Sequence, residues 1–510
     1  MRFIMCFFAA LAAAFSMPAM AADQDLWKRA ETDHFVIYST VEAEELVEFA
    51  RELEKFDGLL RFWFGKSSQN GSDKLDIFLM ENDRQVAKLH GWSMVDGFYS
   101  RSVEGTFAVA HHRGAGRNKL DGRTVLFHEY AHHFMYNEFS VPVPAWLREG
   151  FAEFLSTTEF REDGSWTFGS LASHRAASFR YTKNPKIEHV LGWPDEGNLV
   201  VDDFYAWSWA LTHMLYTDAD RGARISAFID RLAAGENTLA AARSVFGDLD
   251  ALENRLHRHV RGEIEFSVSK ESFPWSDEVA LNTLGAEEGQ MVELRLRRRN
   301  RGTVEDAHNE LEKIVAQPNA PANAYAELAM AEILLEDPDG DQVTGKDGSE
   351  TNARQWYSAA EVAADKALAI DAGNVVANIA KGRILLHRLV QENRPAGHTD
   401  WKDARRYLQI ANKAEPDNAE ALYRFANSYT QERREGPMMF DAFAAAFVKE
   451  PQVPPFRIAL AYDLARQGRH DDGIALLQML ANDPHNPEEG KKAIEGIEWM
   501  RRTGSKFPPR

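Results

Sequence analysis

His128-Glu129-Tyr130-Ala131-His132 places two imidazoles four residues apart, with a carboxylate directly after the first. On a helix, residues four apart share a face, so both rings can meet one cation while Glu129 points toward its open side. Val125, Leu126, Phe127, Ala131 and Phe134 supply the apolar surroundings such a helix needs. Two histidines do not complete a centre. About 17 residues on, the segment Pro144 to Phe154 (PAWLREGFAEF) offers Glu149 and Glu153, again four apart on one face of a second helix that begins after the proline-bounded turn Val141 to Pro144. Either acid could serve as third ligand to a zinc ion, which takes three protein donors and keeps one position open when it is catalytic. The one cysteine is Cys6, which excludes thiolate zinc sites and iron–sulfur clusters and leaves His and carboxylate as the ligand types.

Taken together, HEYAH and WLREGFAEF resemble the gluzincin metallopeptidases, in particular the small bacterial peptidase MA-like families that carry a W-L-x-E-G-x-A-E segment. The resemblance spans about residues 33 to 260 and rests almost wholly on those two segments. It implies an α+β zincin-like catalytic domain, a Zn2+ cofactor, a peptide or protein substrate, and hydrolysis by Glu-assisted attack of a zinc-bound water. Carried over by motif, it makes His128, His132 and Glu149 the metal ligands and Glu129 the catalytic base. Glu153 becomes the acid that accepts the other ring N–H of His128, a role consistent with the need of a ligating imidazole for a fixed tautomer.

Enzymes of this kind take a Tyr or His from a later helix to stabilise the oxyanion. Tyr205 and His213, eight residues apart on the apolar helix around Phe204 to Leu211, are the candidates, and Tyr205 is the choice. The alternative is a core tyrosine whose hydroxyl finds a carbonyl. His133, about 100° around the helix from His132, is expected to miss the ion, and Tyr130 is expected to pack. His111 and His112 end a strand that the resemblance would make the substrate-pairing edge.

The elements that must position these residues follow from periodicity. His34 to Val41 and Lys74 to Met80 read as strands around a helix over Glu42 to Trp63. A strand pair over Gly97 to Ser100 and Thr106 to His111 precedes the HEYAH helix, and Asp202 to Arg261 is helical throughout. Residues 22–265 are therefore read as the metallopeptidase-like domain. Residues 266–303 are read as a linker or junction, whose Arg295, Arg297, Arg298, Arg299 and Arg301 are expected to form a solvated, salt-bridged edge rather than a phosphate site.

Residues 304–510 show turn segments at Ile370 to Asn374, Glu415 to Ala419, Glu450 to Gln452 and Asp483 to Asn486, each after an Ala-rich amphipathic helix. Two of their three offsets match the period of about 34 residues of tetratricopeptide repeats. An all-α tetratricopeptide-like solenoid that binds a protein partner follows, with a plain helical bundle as the alternative.

Composition and termini set the context. A length of 510 residues predicts more than one domain, and a net charge of −19 argues against nucleic acid or anionic lipid as partner. Met1 to Ala21 reads as a cleaved signal peptide, with a basic start, an apolar run from Phe3 to Phe15 and a small-x-small end; an uncleaved anchor is the alternative. No later stretch is apolar enough to span a membrane, so a periplasmic or secreted protein is expected. Two other functions fit the same sequence: an exported repeat-based interaction or assembly protein with a non-catalytic peptidase-like domain, and hydrolysis of a non-protein amide such as cell-wall peptide.

Overall fold

Alternate residues of the central strands are apolar on both sides, so the sheet must be covered on both faces. Its elements are β1 (Lys28–Glu31), β2 (Phe35–Ser39), α1 (Ala43–Phe64), β3 (Leu75–Asn82), α2 (Asp83–His90), β4 (Gly97–Ser102) and β5 (Gly105–Arg113). There follow α3 (Gly122–Glu138), α4 (Ala145–Ser156), β6 (Glu159–Phe160), β7 (Trp166–Phe168), α5 (Ala176–Tyr181), α6 (Ile187–Leu191) and α7 (Val201–Tyr216). Then come α8 (Arg221–Ala233), α9 (Thr238–Phe246), α10 (Leu249–Arg261), β8 (Ser267–Ser269), β9 (Ala280–Thr283) and α11 (Ala286–Arg298). The computed structural model describes residues 26–502 apart from 68–73, 92–94, 114–120, 140, 142, 172–174, 182–183, 194–195, 217–220, 337–349, 437 and 482–486. The expected signal at 1–21 and the turn expected at Asp483 to Asn486 lie outside the described residues.

The main sheet has six strands in the order β4-β5-β3-β2-β1-β9. β2, β3 and β5 run parallel, with Phe35 opposite Leu75 and Asp76 opposite Phe107, while β4 pairs antiparallel with β5 and forms one edge. Ile37, Ile77, Leu79, Ala108 and Ala110 face α1 and α3, and Phe78, Phe107 and Val109 face α2 and α11. The β-α-β opening, the strand pair and the helical run after residue 200 therefore lie where periodicity puts them. β1 and the small sheet β6-β7-β8 are too short to leave a readable alternation.

The segment read as a junction is woven into this region. β9 pairs with β1, β8 pairs with β7, and Leu284, Val292 and Leu296 cover the second face of the main sheet. Arg295, Arg297 and Arg298 are ion-paired as expected, while Arg299 donates to backbone carbonyl oxygens, and Arg298 is buried at 2% exposure rather than solvated, because Glu104 and Glu327 both reach it.

The rest is helical: α12 (Val304–Val315), α13 (Ala322–Glu336), α14 (Glu350–Ile370), α15 (Val375–Gln391), α16 (Thr399–Ala414), α17 (Ala419–Gln431), α18 (Met439–Lys449), α19 (Pro454–Arg466), α20 (His470–Ala481) and α21 (Pro487–Arg502). Neighbours in sequence pack together, and α13 also touches α15, which touches α17. The three expected turns within the described residues fall between helices, and Asn374 and Asn418 cap α15 and α17 by accepting from Ala377 N and Ala421 N. Among the described residues no helix is long and apolar enough to cross a membrane.

Two close approaches set the helices that matter. A Cβ on Gly122, at the start of α3, would lie 1.4 Å from the His111 carbonyl oxygen, so only glycine lets α3 leave β5 at that point. A Cβ on Gly150 would lie 2.0 Å from Thr212 Oγ1 and 2.4 Å from the Ser208 carbonyl oxygen, so α4 crosses α7 almost backbone to backbone. Gly150→Ala is expected to lower stability by about 1–3 kcal/mol or more through overpacking. A urea-unfolding midpoint equal to that of wild type would contradict this packing.

Candidate metal centre

α3 lies between the sheet and α4, and every residue of α4 from Ala145 to Ser156 is buried. Asp121 caps α3 by accepting from Arg123 N at 3.4 Å, and Tyr130 donates from its hydroxyl to Asp57 Oδ1 at 2.6 Å, fastening α3 to α1. Tyr130 thus packs, as expected. His133 turns away from the cation face: its Nδ1 is 2.8 Å from the Tyr99 hydroxyl and its Nε2 2.8 Å from Asn137 Nδ2.

The other face of α3 meets α4. His128 Nε2 and His132 Nε2 are 3.1 Å apart, and Glu149 Oε2 is 3.3 Å from the second and 3.6 Å from the first. Zinc bonds of about 2.0–2.1 Å in tetrahedral array place donors about 3.3–3.4 Å from one another. The triangle therefore fits a single zinc ion in donor type and in spacing. Glu149 is fully buried, which disfavours an isolated carboxylate and favours one that faces a cation. Burial, and then His132, push the His128 pKa down to about 3, leaving its ring neutral, as ligation requires.

Behind this triangle, Glu153 Oε1 lies 3.6 Å from His128 Nδ1. Arg175 holds that same oxygen, donating from Nε at 3.0 Å and Nη2 at 2.6 Å, and its guanidinium also sits 4.8 Å from the centre of the Tyr205 ring. One arginine thus joins the acid behind His128 to the tyrosine beside it. Nothing in the spacing of Arg175 marks it in the sequence.

The triangle opens into a cleft of about 810 Å³ lined by Tyr99, Arg101, Glu129, Tyr136 and Tyr205 among others. Among the described residues Phe204 to Leu215, Tyr205 alone is not buried. Its ring centre is 6.0 Å from that of His128. Burial, then Glu149 and Glu129, hold its pKa well above the usual phenol value, so it remains an O–H donor. His213 is elsewhere: its Nδ1 is 2.9 Å from His259 Nε2, and its Nε2 3.1 Å from the Glu265 carbonyl oxygen.

The strand carrying His111 and His112 is not the sheet edge. β5 lies between β3 and β4, His111 is fully buried, and His112 is 3.2 Å from Glu45. The edge that walls the cleft is β4, through Gly97, Phe98, Tyr99 and Arg101. The short Ser102–Gly105 reversal explains the difference, because it turns β4 back onto the outer side of β5.

His34, Glu54 and Asp57 also bring three donor atoms together. That group is an ion-pair network: His34 Nδ1 is 2.9 Å from Glu54 Oε2, and Arg61 donates to Asp57 Oδ2 at 2.8 Å. Burial lowers the His34 pKa, but Glu54 and Asp57 outweigh it and leave it raised.

No protein-family model matches the chain, and a search of curated proteins found no match. Loss of either support behind His128 is expected to weaken the site without destroying it: Glu153→Gln and Arg175→Ala should each lower zinc affinity about 10–100-fold. Competition with a chromophoric chelator reads this directly, and wild-type affinity in both variants would contradict the assignment.

Proposed function

We propose that this chain is an exported zinc-dependent metallopeptidase that hydrolyses peptide bonds, with a zincin-like α+β catalytic domain followed by a tetratricopeptide-like helical region. The observation that carries the reading is the triangle of His128, His132 and Glu149, with edges of 3.1 to 3.6 Å, at the base of a cleft that Glu129 and Tyr205 also line. Zinc held by those three residues would supply an acidified water and a polarised substrate carbonyl.

The residues of the chain divide the remaining work. Glu129 takes a proton from the attacking water and passes it to the leaving amine. Tyr205 keeps its proton and donates a hydrogen bond where negative charge develops on the substrate oxygen. Glu153, gripped by Arg175 and 3.6 Å from His128 Nδ1, is the acid that would fix the tautomer of that ring by accepting from it. β4, with one sheet neighbour, offers an extended peptide a strand to pair with alongside the triangle. Export rests on the signal-like N-terminus, and the repeat-like helices are read as a protein-binding surface.

The test is proteolysis of an unfolded protein by the zinc-loaded chain. Glu129→Gln is expected to keep a zinc stoichiometry of one while losing activity by about 10²–10⁴-fold. Full activity in that variant would remove Glu129 as the base, and a wild type that binds no zinc would remove the enzyme reading.

A further inference from the structure

The cleft's edge strand is fastened at its far end by the helical region. Val103, at the tip of the β4–β5 hairpin, packs against the apolar cluster of Tyr423, Phe443 and Phe456. The next residue, Glu104, accepts from Arg298 Nη2 at 2.7 Å and lies 3.6 Å from Arg383 Nη1 on α15. Arg299 Nη2 donates to the carbonyl oxygens of Glu104 at 3.1 Å and Gly105 at 2.7 Å. Thr106 donates to Glu450 Oε2 at 2.7 Å and accepts from Gln452 Nε2 at 2.9 Å, both in the α18–α19 turn. The Glu104 carboxylate, the carbonyl oxygens of Glu104 and Gly105, and the Thr106 hydroxyl are thus met by the end of α11 or the α18–α19 turn, with α15 close by.

The charge pair at the centre of this contact is a strong geometric constraint. Arg298 is buried between Glu104 and Glu327, which accept from it at 2.7 and 2.5 Å. Burial raises the pKa of Glu104, but Arg298 and Arg383 outweigh that and hold it at about 2, so the pair is ionised at neutral pH. A buried pair of this kind contributes little net stability over an apolar contact, yet breaking it strands a charge. It specifies position. An edge strand has half its backbone groups without a sheet partner, so what fixes its outer line decides whether another strand can add.

We propose that Glu104 and Arg298 are positioning residues through which the helical region holds β4 in register for a peptide, the apolar cluster of Tyr423, Phe443 and Phe456 being contacted there by this chain's own hairpin. The substrate half of this statement rests on the peptidase reading, while the clamp itself does not. It also gives the helical region a role within the chain: a partner bound to that surface would have to displace the hairpin and so reach the cleft.

The experiment is amide hydrogen exchange on the full chain, with zinc affinity and proteolysis measured in parallel, for wild type, Glu104→Gln and the milder Thr106→Val. In both variants the amides of Gly97 to Ser102 should exchange faster, by about tenfold in Glu104→Gln. Those of β2 and β3 should stay at wild-type rates, which a general loss of stability would not allow. Zinc affinity should be unchanged and KM for an unfolded protein should rise about tenfold with kcat nearly constant. Wild-type exchange across β4 in both variants, or equal acceleration across the whole sheet in both, would overturn the proposal. Faster exchange confined to β4, in a chain whose wild type cleaves nothing, would remove the peptidase reading and leave the clamp standing.

Discussion

Two imidazole nitrogens 3.1 Å apart, facing the carboxylate of a fully buried glutamate, are the constraint on which the rest of the N-terminal region depends. Three lone pairs turned toward one point at that spacing repel one another, and a proton or a cation between them relieves the repulsion. The surroundings hold them there all the same. α4 is buried along its whole length, α3 is tied to α1 through Tyr130 and Asp57, and Gly122 and Gly150 let backbones approach where any side chain would push them apart. The chain invests its closest packing in the two helices that carry the donors, which is the pattern expected of a preorganised site.

The cleft chemistry follows from what that packing places nearby. Tyr205 comes from the helix that Gly150 allows into contact with α4, so the same crossing that seats Glu149 brings the phenol beside His128. Arg175 links Glu153 to the Tyr205 ring, which couples the orientation of a ligand to that of the proposed oxyanion donor. Displacing one of them would be felt by the other.

Local pattern carried much of this in the sequence. The i, i+4 spacing in HEYAH and in the Glu149/Glu153 pair reports which side chains share a helix face, and the structure brings those faces together. Tyr205 sits in a run so apolar that a core role is the competing reading, and only its place at the cleft, partly exposed in an otherwise buried run, distinguishes the two. Non-local facts were not legible. No periodicity says that the Ser102–Gly105 turn puts β4 rather than β5 at the edge, that β9 returns to pair with β1, or that Arg175 reaches back across 22 residues to Glu153. The arginines of α11 announced ion pairs, but Glu104, the partner of Arg298, lies 194 residues earlier, so the burial of Arg298 was invisible.

The helical region and the cleft are joined at more than one point. Besides the hairpin, Arg148, inside the WLREG segment, donates to the Met479 carbonyl oxygen of α20 at 3.3 Å as well as to Tyr136 at 2.6 Å. The segment that supplies Glu149 therefore also touches the helical region. The proposed chemistry requires a metal in the triangle, and anomalous diffraction at the zinc edge from crystals grown with one equivalent of zinc tests that most directly. The account predicts one ion about 2.0–2.2 Å from His128 Nε2, His132 Nε2 and a Glu149 oxygen. An ion bound elsewhere, or none at that stoichiometry, would contradict it.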